Sequence, residues 1–440
     1  MNGAGRSNKI AVLALWVSDY LPLLRDICGT SGARLYSMLL SLVTLTLTAR
    51  WLGPEGRGIV VVITTWVTLV AGIVHLSVGQ VLVHRAANRA FKDWFAPALV
   101  AVATFTAIAT VIGWAAVSLV YGIAGERLFK GIPALAFAIG LSALPFLVWE
   151  RYGSALLSIV GLLKAYNWAQ IIGRSFGLLV LAVTIKVLGL GIYGFLIAFV
   201  SGQMIVAGAG VTALVRQAGL RAQGVSQALV ELLRDGLKLH LNAIGVLLFS
   251  GVDILMLQYF RGPEATAIFQ LPMQLFLALL LIPQSAQLAL QARVTSGSRA
   301  VFWREHRMII ALIIGGMSLI AAALWVVAPL VVGVIGGAGF EDSATVFRIL
   351  LIGVPWACFN TLMAIQWITR GYFYQASIIT LATGLTNCCL NFYLIPAYGL
   401  LGAAYAALFG MCAVPFVANG WLAILAQREF VETRRAHGSP

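Results

Sequence analysis

Apolar residues in this chain come in runs of about twenty or more, separated by short polar breaks rich in Gly, Pro, Arg and Lys. A helix rises 1.5 Å per residue, so about 20 apolar residues cross the roughly 30 Å hydrocarbon layer of a bilayer. On that measure the pattern predicts twelve transmembrane helices. They cover 33–51, 58–82, 95–121, 131–158, 167–187, 191–215, 238–260, 265–290, 308–335, 344–368, 374–395 and 399–425. Pro133, Pro145, Glu150 and Arg151 interrupt the fourth, which is expected to be kinked or shortened. The apolar stretch Ile10 to Leu24 is broken by Asp19 and Pro22 and lacks a small-residue cleavage site, so it does not read as a signal peptide. Residues 1–32 are expected to form a cytoplasmic amphipathic lead-in.

The breaks repeat. Gly53-Pro54-Glu55 separates the first two runs, and Gly262-Pro263-Glu264 separates the seventh and eighth, 209 positions later. Gly191-Ile192-Tyr193-Gly194 and Gly399-Leu400-Leu401-Gly402 are offset by 208. One plan used twice explains both pairs. The expected fold is an all-α polytopic membrane protein of about 12 helices in two six-helix bundles, 33–220 and 221–427, with a cytoplasmic tail over 428–440. An even number of spans in each repeat gives both the same orientation, related by a pseudo-two-fold axis along the membrane normal.

Composition agrees with the pattern: 61% of residues are hydrophobic, 10% are charged, and the mean hydropathy is +0.95. Soluble domains carry about 25% charged residues. The net charge of +14 does not point to nucleic acid, because the basic residues lie in the gaps between apolar runs and form no stripe with interleaved aromatics. Their distribution instead sets orientation. With both termini in the cytoplasm, Lys and Arg on inside segments outnumber those on outside segments by about three to one. Arg57 counts among the outside set. Both Gly-Pro-Glu turns then face outward, where Glu55 and Glu264 are placed to help close an outer gate. Cys28, Cys358, Cys388, Cys389 and Cys412 have no metal-ligand spacing and read as apolar filler.

Polar groups at membrane depth face a cavity or a partner helix. Arg174 lies about seven residues into the fifth span, roughly 10 Å along it; it either snorkels to the cytoplasmic interface or points into a central cavity and meets an anion. Arg34, at the start of the first span, is an interface anchor or a cavity-mouth residue. Asp253 is the one acidic residue that reads as deep in a span, placed for a salt bridge in the lumen or for ion coupling. Gln170 joins the polar set of the fifth helix. Gln270 and Gln274 share a face of the eighth helix at i, i+4, and Asn387 and Asn391 do so in the eleventh. Such groups serve as interhelical glue or, together, line a wet interior suited to hydroxyl-rich cargo. No phosphate-binding glycine loop, zinc-protease motif or nucleophile–base pair occurs. The chain therefore reads as a transporter, not an enzyme, with no cofactor and no metal; a proton or sodium gradient is the expected energy source.

Arg50-Trp51-Leu52-Gly53-Pro54-Glu55-Gly56-Arg57-Gly58 resembles the junction between the first two helices of lipid-linked oligosaccharide flippases, O-antigen flippases among them. These form the polysaccharide transport branch of the multidrug/oligosaccharidyl-lipid/polysaccharide exporter superfamily. Leu76-Ser77-Val78-Gly79-Gln80-Val81-Leu82-Val83 resembles the end of their second helix, and Asp253 to Ala265 their seventh-helix signature, with Arg261 where an apolar residue is commoner. The resemblance implies two bundles around a cleft open alternately to each side of a bacterial inner membrane. It implies a polyprenyl-diphosphate-linked oligosaccharide as cargo, for cell-surface polysaccharide biosynthesis, with glycan polymerase or glycosyltransferase machinery as partners. The diphosphate needs cations, a role the resemblance assigns to Arg34 and Arg174. An ion-coupled exporter of drugs or small cations shares the fold and is the alternative; it requires buried carboxylates.

Overall fold

A computed structural model describes the backbone of residues 4–86, 91–218, 225–291 and 299–436. The helices are α1 (Ala4–Val74), α2 (Val78–Ala86), α3 (Phe91–Leu128), α4 (Ala134–Leu141), α5 (Leu144–Ile159), α6 (Leu163–Ala182) and α7 (Gly191–Ala218). They continue with α8 (Val225–Arg261), α9 (Pro263–Leu279), α10 (Leu281–Gln291), α11 (Arg299–Gly336), α12 (Ser343–Ile352), α13 (Val354–Thr369) and α14 (Phe373–Ala436). A π-helical turn, Val183–Val187, ends α6. Among the described residues, eight helical stretches are long and apolar enough to cross a membrane, or nine if the bent pair α12 and α13 forms one span. Two of the eight, Leu35–Val74 and Phe373–Glu432, are 40 and 60 residues long, and each is broken at a glycine. Each therefore holds two spans. With these divided, and with α8 running through the seventh expected span to Arg261, the helices follow the twelve runs of the hydropathy pattern. The expected lead-in has a helical backbone from Ala4, but its side chains before Gly32 lie outside the described residues.

The duplication is visible in the backbone. Gly53 (φ 68°, ψ 179°) and Gly262 (φ 87°, ψ −177°) adopt the same conformation, one that is essentially restricted to glycine. Pro54 and Pro263 then start the following helices with φ already set. The fourth span is broken between α4 and α5, with Pro145 in the first turn of α5. The tenth is broken in the same way between α12 and α13, with Pro355 in the first turn of α13 and a bend of 50°. Gly161 and Gly371, both at φ 72°, end α5 and α13 with matching hydrogen bonds, Leu162 N–H to Leu157 O at 2.8 Å and Tyr372 N–H to Trp367 O at 3.0 Å.

Among the positions at which the halves differ, one pair lies where the helices of each half meet. In the second half α8 and α14 touch backbone to backbone: a Cβ on Gly384 would lie 2.6 Å from Gly245 O. About 209 positions earlier stand Tyr36 and Ser175, whose side chains hydrogen-bond at 2.8 Å between α1 and α6. The first and fifth spans are thus joined there by side chains where the seventh and eleventh touch through glycines, and a cavity lies between the first and fifth spans.

Candidate functional site

A cavity of about 340 Å³ lies among the first, second, fifth and sixth spans, closed on one side by α9. Each helix offers it one stripe: Leu40, Ser41 and Thr44; Arg57, Val61 and Thr64; Gln170, Arg174 and Gly177; Ala198, Gly202 and Gln203; Gln270 and Gln274. The i, i+3, i+4 spacing is that of a single helix face. Gly173, Gly177 and Gly202 let α6 and α7 approach closely, since a Cβ on Gly173 would stand 2.8 Å from Gly202 O. That contact turns the face carrying Gln170 and Arg174 toward the cavity.

Arg57 is the buried cation of the site, 4% exposed. Its position follows from the turn: the helix restarts at Pro54, so residue 57 is already one turn in and its side chain reaches the first span and α9. Arg57 Nη1 donates to Thr48 Oγ1 at 2.6 Å, and Nη2 to Gln270 Oε1 at 3.0 Å and Gln274 Oε1 at 3.4 Å. All three acceptors are neutral, and the Nε–H is buried without a partner among the described residues. Arg174 is exposed to the cavity, and its Nε donates to Gln170 Oε1 at 3.1 Å. The Gln170 amide is fixed in turn: its Nε2 donates to Glu150 Oε1 and, at 2.9 Å, to Tyr166 OH, and Tyr166 OH donates to the same Glu150 oxygen at 3.0 Å. Glu150 thus orients the site from behind. The described lining holds two arginines and no carboxylate. Arg57 is thus a buried cation held by neutral acceptors alone, and Arg174 adds a second, exposed positive charge to the same glutamine-lined space.

Of the residues singled out in the sequence, Arg174, Gln170, Gln270 and Gln274 meet here. Arg57 is the one that reasoning missed: counted as an outer-segment cation, it lies in the cavity wall. The clue was its distance from Gly53, which places it within a helix. Asn387 and Asn391 do not line the cavity. Asn391 Nδ2 donates to Asn387 O at 3.0 Å and to Asn387 Oδ1, and Gly410 packs on Asn387. Asp253 is 4% exposed, accepts the Ile254 N–H at 2.9 Å and has no basic partner among the described residues; it is off the cavity. Glu150 adds a second acid to the one the sequence singled out within the spans. The side chain of Arg34 lies outside the described residues. Glu55 and Glu264 are exposed at their turns.

The halves meet at both ends of the molecule. At the Gly-Pro-Glu end, Gly58 lies directly on the Pro263 carbonyl, Gly339 packs on Pro54, and Arg50 Nη2 donates to Val334 O at 2.5 Å. At the other end, Gly236 packs on Leu76 O, and Ser77 Oγ bonds His240 Nδ1 at 3.2 Å. Leu76 and Ser77 hold positive φ there, 49° and 53°. The conformation is closed.

The sequence profile of the polysaccharide biosynthesis protein family matches residues 23–290. Comparison with curated proteins finds no match. Among solved structures, the lipid II flippase MurJ in an inward closed conformation superposes with a TM-score of 0.71 at 11% identity, covering 93% of each chain. An inward-facing multidrug resistance MATE family transporter of the MOP superfamily gives 0.66 at 14% identity, over 88% of this chain and 95% of that one. A eukaryotic MATE transporter gives 0.62 at 12%, over 95% and 99%. At these identities the likeness establishes the fold, a two-lobed helical transporter architecture.

Proposed function

This chain belongs to the polysaccharide biosynthesis protein family, and on that premise we propose that it is a flippase. Its cargo is an oligosaccharide on a polyprenyl diphosphate, moved from the cytoplasmic to the outer leaflet by alternating access, for cell-surface polysaccharide biosynthesis. The observation that carries this reading is the pair of arginines in one cavity, Arg57 and Arg174, with no carboxylate among the described lining. Phosphate oxygens accept from guanidinium donors in short, charge-assisted bonds, and Arg presents them in a fork. The glutamines and Thr44, Thr64 and Ser41 supply neutral partners for hydroxyls. The same cavity disfavours the cation-exporter alternative, since cationic cargo would face two arginines. At about 340 Å³ it is near the lower end of ligand pockets, so in this closed conformation it suits the diphosphate end, and the glycan would need the cleft open.

In this reading both termini and the short basic connections face the cytoplasm of an inner membrane, and the Gly-Pro-Glu turns face outward. The two bundles, 33–220 and 221–427, move against each other, and Asp253 serves ion coupling. Glycosyltransferases supply the cargo and a glycan polymerase consumes it. The test is a leaflet-exchange assay in proteoliposomes with a fluorescent polyprenyl-diphosphate oligosaccharide. The intact protein should exchange it, while Arg57→Ala and Arg174→Ala, folded and inserted, should each lose at least tenfold in rate. Exchange at full rate in both variants would refute the assignment.

A further inference from the structure

We infer that Arg57 is also a latch that the cargo operates: an anion taking its guanidinium draws it from Gln270 and Gln274 and frees the Gly-Pro-Glu end to open. The inference rests on the reading above and goes beyond it, from what binds to how binding moves the molecule. Arg57 lies in the first half of the chain; Gln270 and Gln274 lie on α9 in the second. Thr48, its other partner, belongs to the first half and can travel with it. The tie sits directly beneath the contact between Gly58 and the Pro263 carbonyl. Any separation of the two turns that opens this end must therefore break the two glutamine bonds.

The tie is weak by construction. Both bonds run to neutral amide oxygens, one of them at 3.4 Å, and the Nε–H has no partner among the described residues. A diphosphate offers the same donors charged oxygens in paired, charge-to-charge bonds, which neutral amide oxygens cannot match. An anion can shift an equilibrium only by binding one state better than the other. Here the differential is explicit: in the closed state the anion competes with the glutamines for Arg57, and in the open state it does not. Cargo therefore favours opening toward the face where it is to be released, and an empty transporter stays shut there. Arg174 has no such role, since its partner Gln170 lies on its own helix.

Electron–electron distance measurements between spin labels at positions 55 and 264, in a background without the native cysteines, test this in lipid nanodiscs. The probe is a sugar-free polyprenyl diphosphate. Wild type should show a short distance alone and a rise of about tenfold in the open-to-closed ratio with the lipid. Gln270→Leu/Gln274→Leu should be open by a similar factor without lipid and respond little to it. Gln270→Glu, which sets a carboxylate against Arg57, should stay closed and blunt the response; it keeps the test decisive should the double variant fail to fold. A double variant that stays closed without lipid, or a Gln270→Glu protein that opens as wild type does, overturns the latch. Lipid that binds wild type saturably without opening it sinks the latch alone, and lipid that does not bind at all sinks the cargo reading with it.

Discussion

Replacing Gly58 by Ala should push the molecule out of its closed conformation. A Cβ at this position would fall 1.8 Å from Pro263 O, 2.3 Å from its carbonyl carbon and 2.9 Å from its Cα. Ordinary contacts of a Cβ begin near 3.4 Å, so the two helices would have to part by more than an ångström. The obstructing atoms are backbone at the start of α9, anchored by Pro263, and cannot rotate aside. Overpacking of this kind costs about 1–3 kcal/mol. Because the contact joins the halves and is not inside a bundle, the cost falls on the closed state relative to the open one. At 1.4 kcal/mol per factor of ten, that is roughly a five- to 150-fold shift toward separated turns. Spin labels at Glu55 and Glu264, both exposed, read it directly. Gly56→Ala is the control: its Cβ meets only Leu52 and Ile192, at 3.1 and 3.5 Å, both in the first half. An unchanged short distance in Gly58→Ala, with the thermal midpoint also unchanged, would refute the argument.

Gly262→Ala places a side chain at φ 87°, ψ −177°, at a cost of about 1–3 kcal/mol, and should lower the unfolding midpoint by about 1–3 °C; Gly53→Ala should do the same, and equal midpoints would show that the turns tolerate a Cβ. Gly384→Val should wedge α8 from α14, where a Cβ already stands 2.6 Å from Gly245 O; scanning fluorimetry should report a loss of about 1–3 kcal/mol, against little effect for Ser175→Val at the equivalent place. Asp253→Asn should abolish the pH or sodium dependence of transport in proteoliposomes while leaving the fold intact, and an unchanged dependence would leave Asp253 a structural residue.

The spans and the duplication were legible because each rests on a local signal. Twenty apolar residues fit a bilayer whatever packs against them, and Gly-Pro-Glu can mark a turn because only Gly accepts the backbone that Gly53 and Gly262 adopt. The broken fourth span was legible from Pro145; the tenth, expected unbroken over 344–368, is broken at Pro355 in the same way. Direction was harder to read. Arg57 sits where a charge count assigns a connection, yet the helix has already begun, so its guanidinium reaches inward. Gln270/Gln274 and Asn387/Asn391 have the same spacing in sequence. Only the first pair faces the cavity, because the neighbour opposite it is Arg57 in one case and Gly410 in the other. Helical periodicity says which residues share a face but not what that face meets.

The exchange of Tyr36 and Ser175 for Gly245 and Gly384 has a consequence for how such proteins diversify. All of the described cavity lining except Gln270 and Gln274 comes from the first repeat. The copy zipped up by glycine is free to act as a counterweight, under selection for rigidity and not for chemistry. Substitutions that retune cargo choice should then collect in one copy of the ancestral duplication, and a chimera should inherit its preference from the parent that contributed its first half.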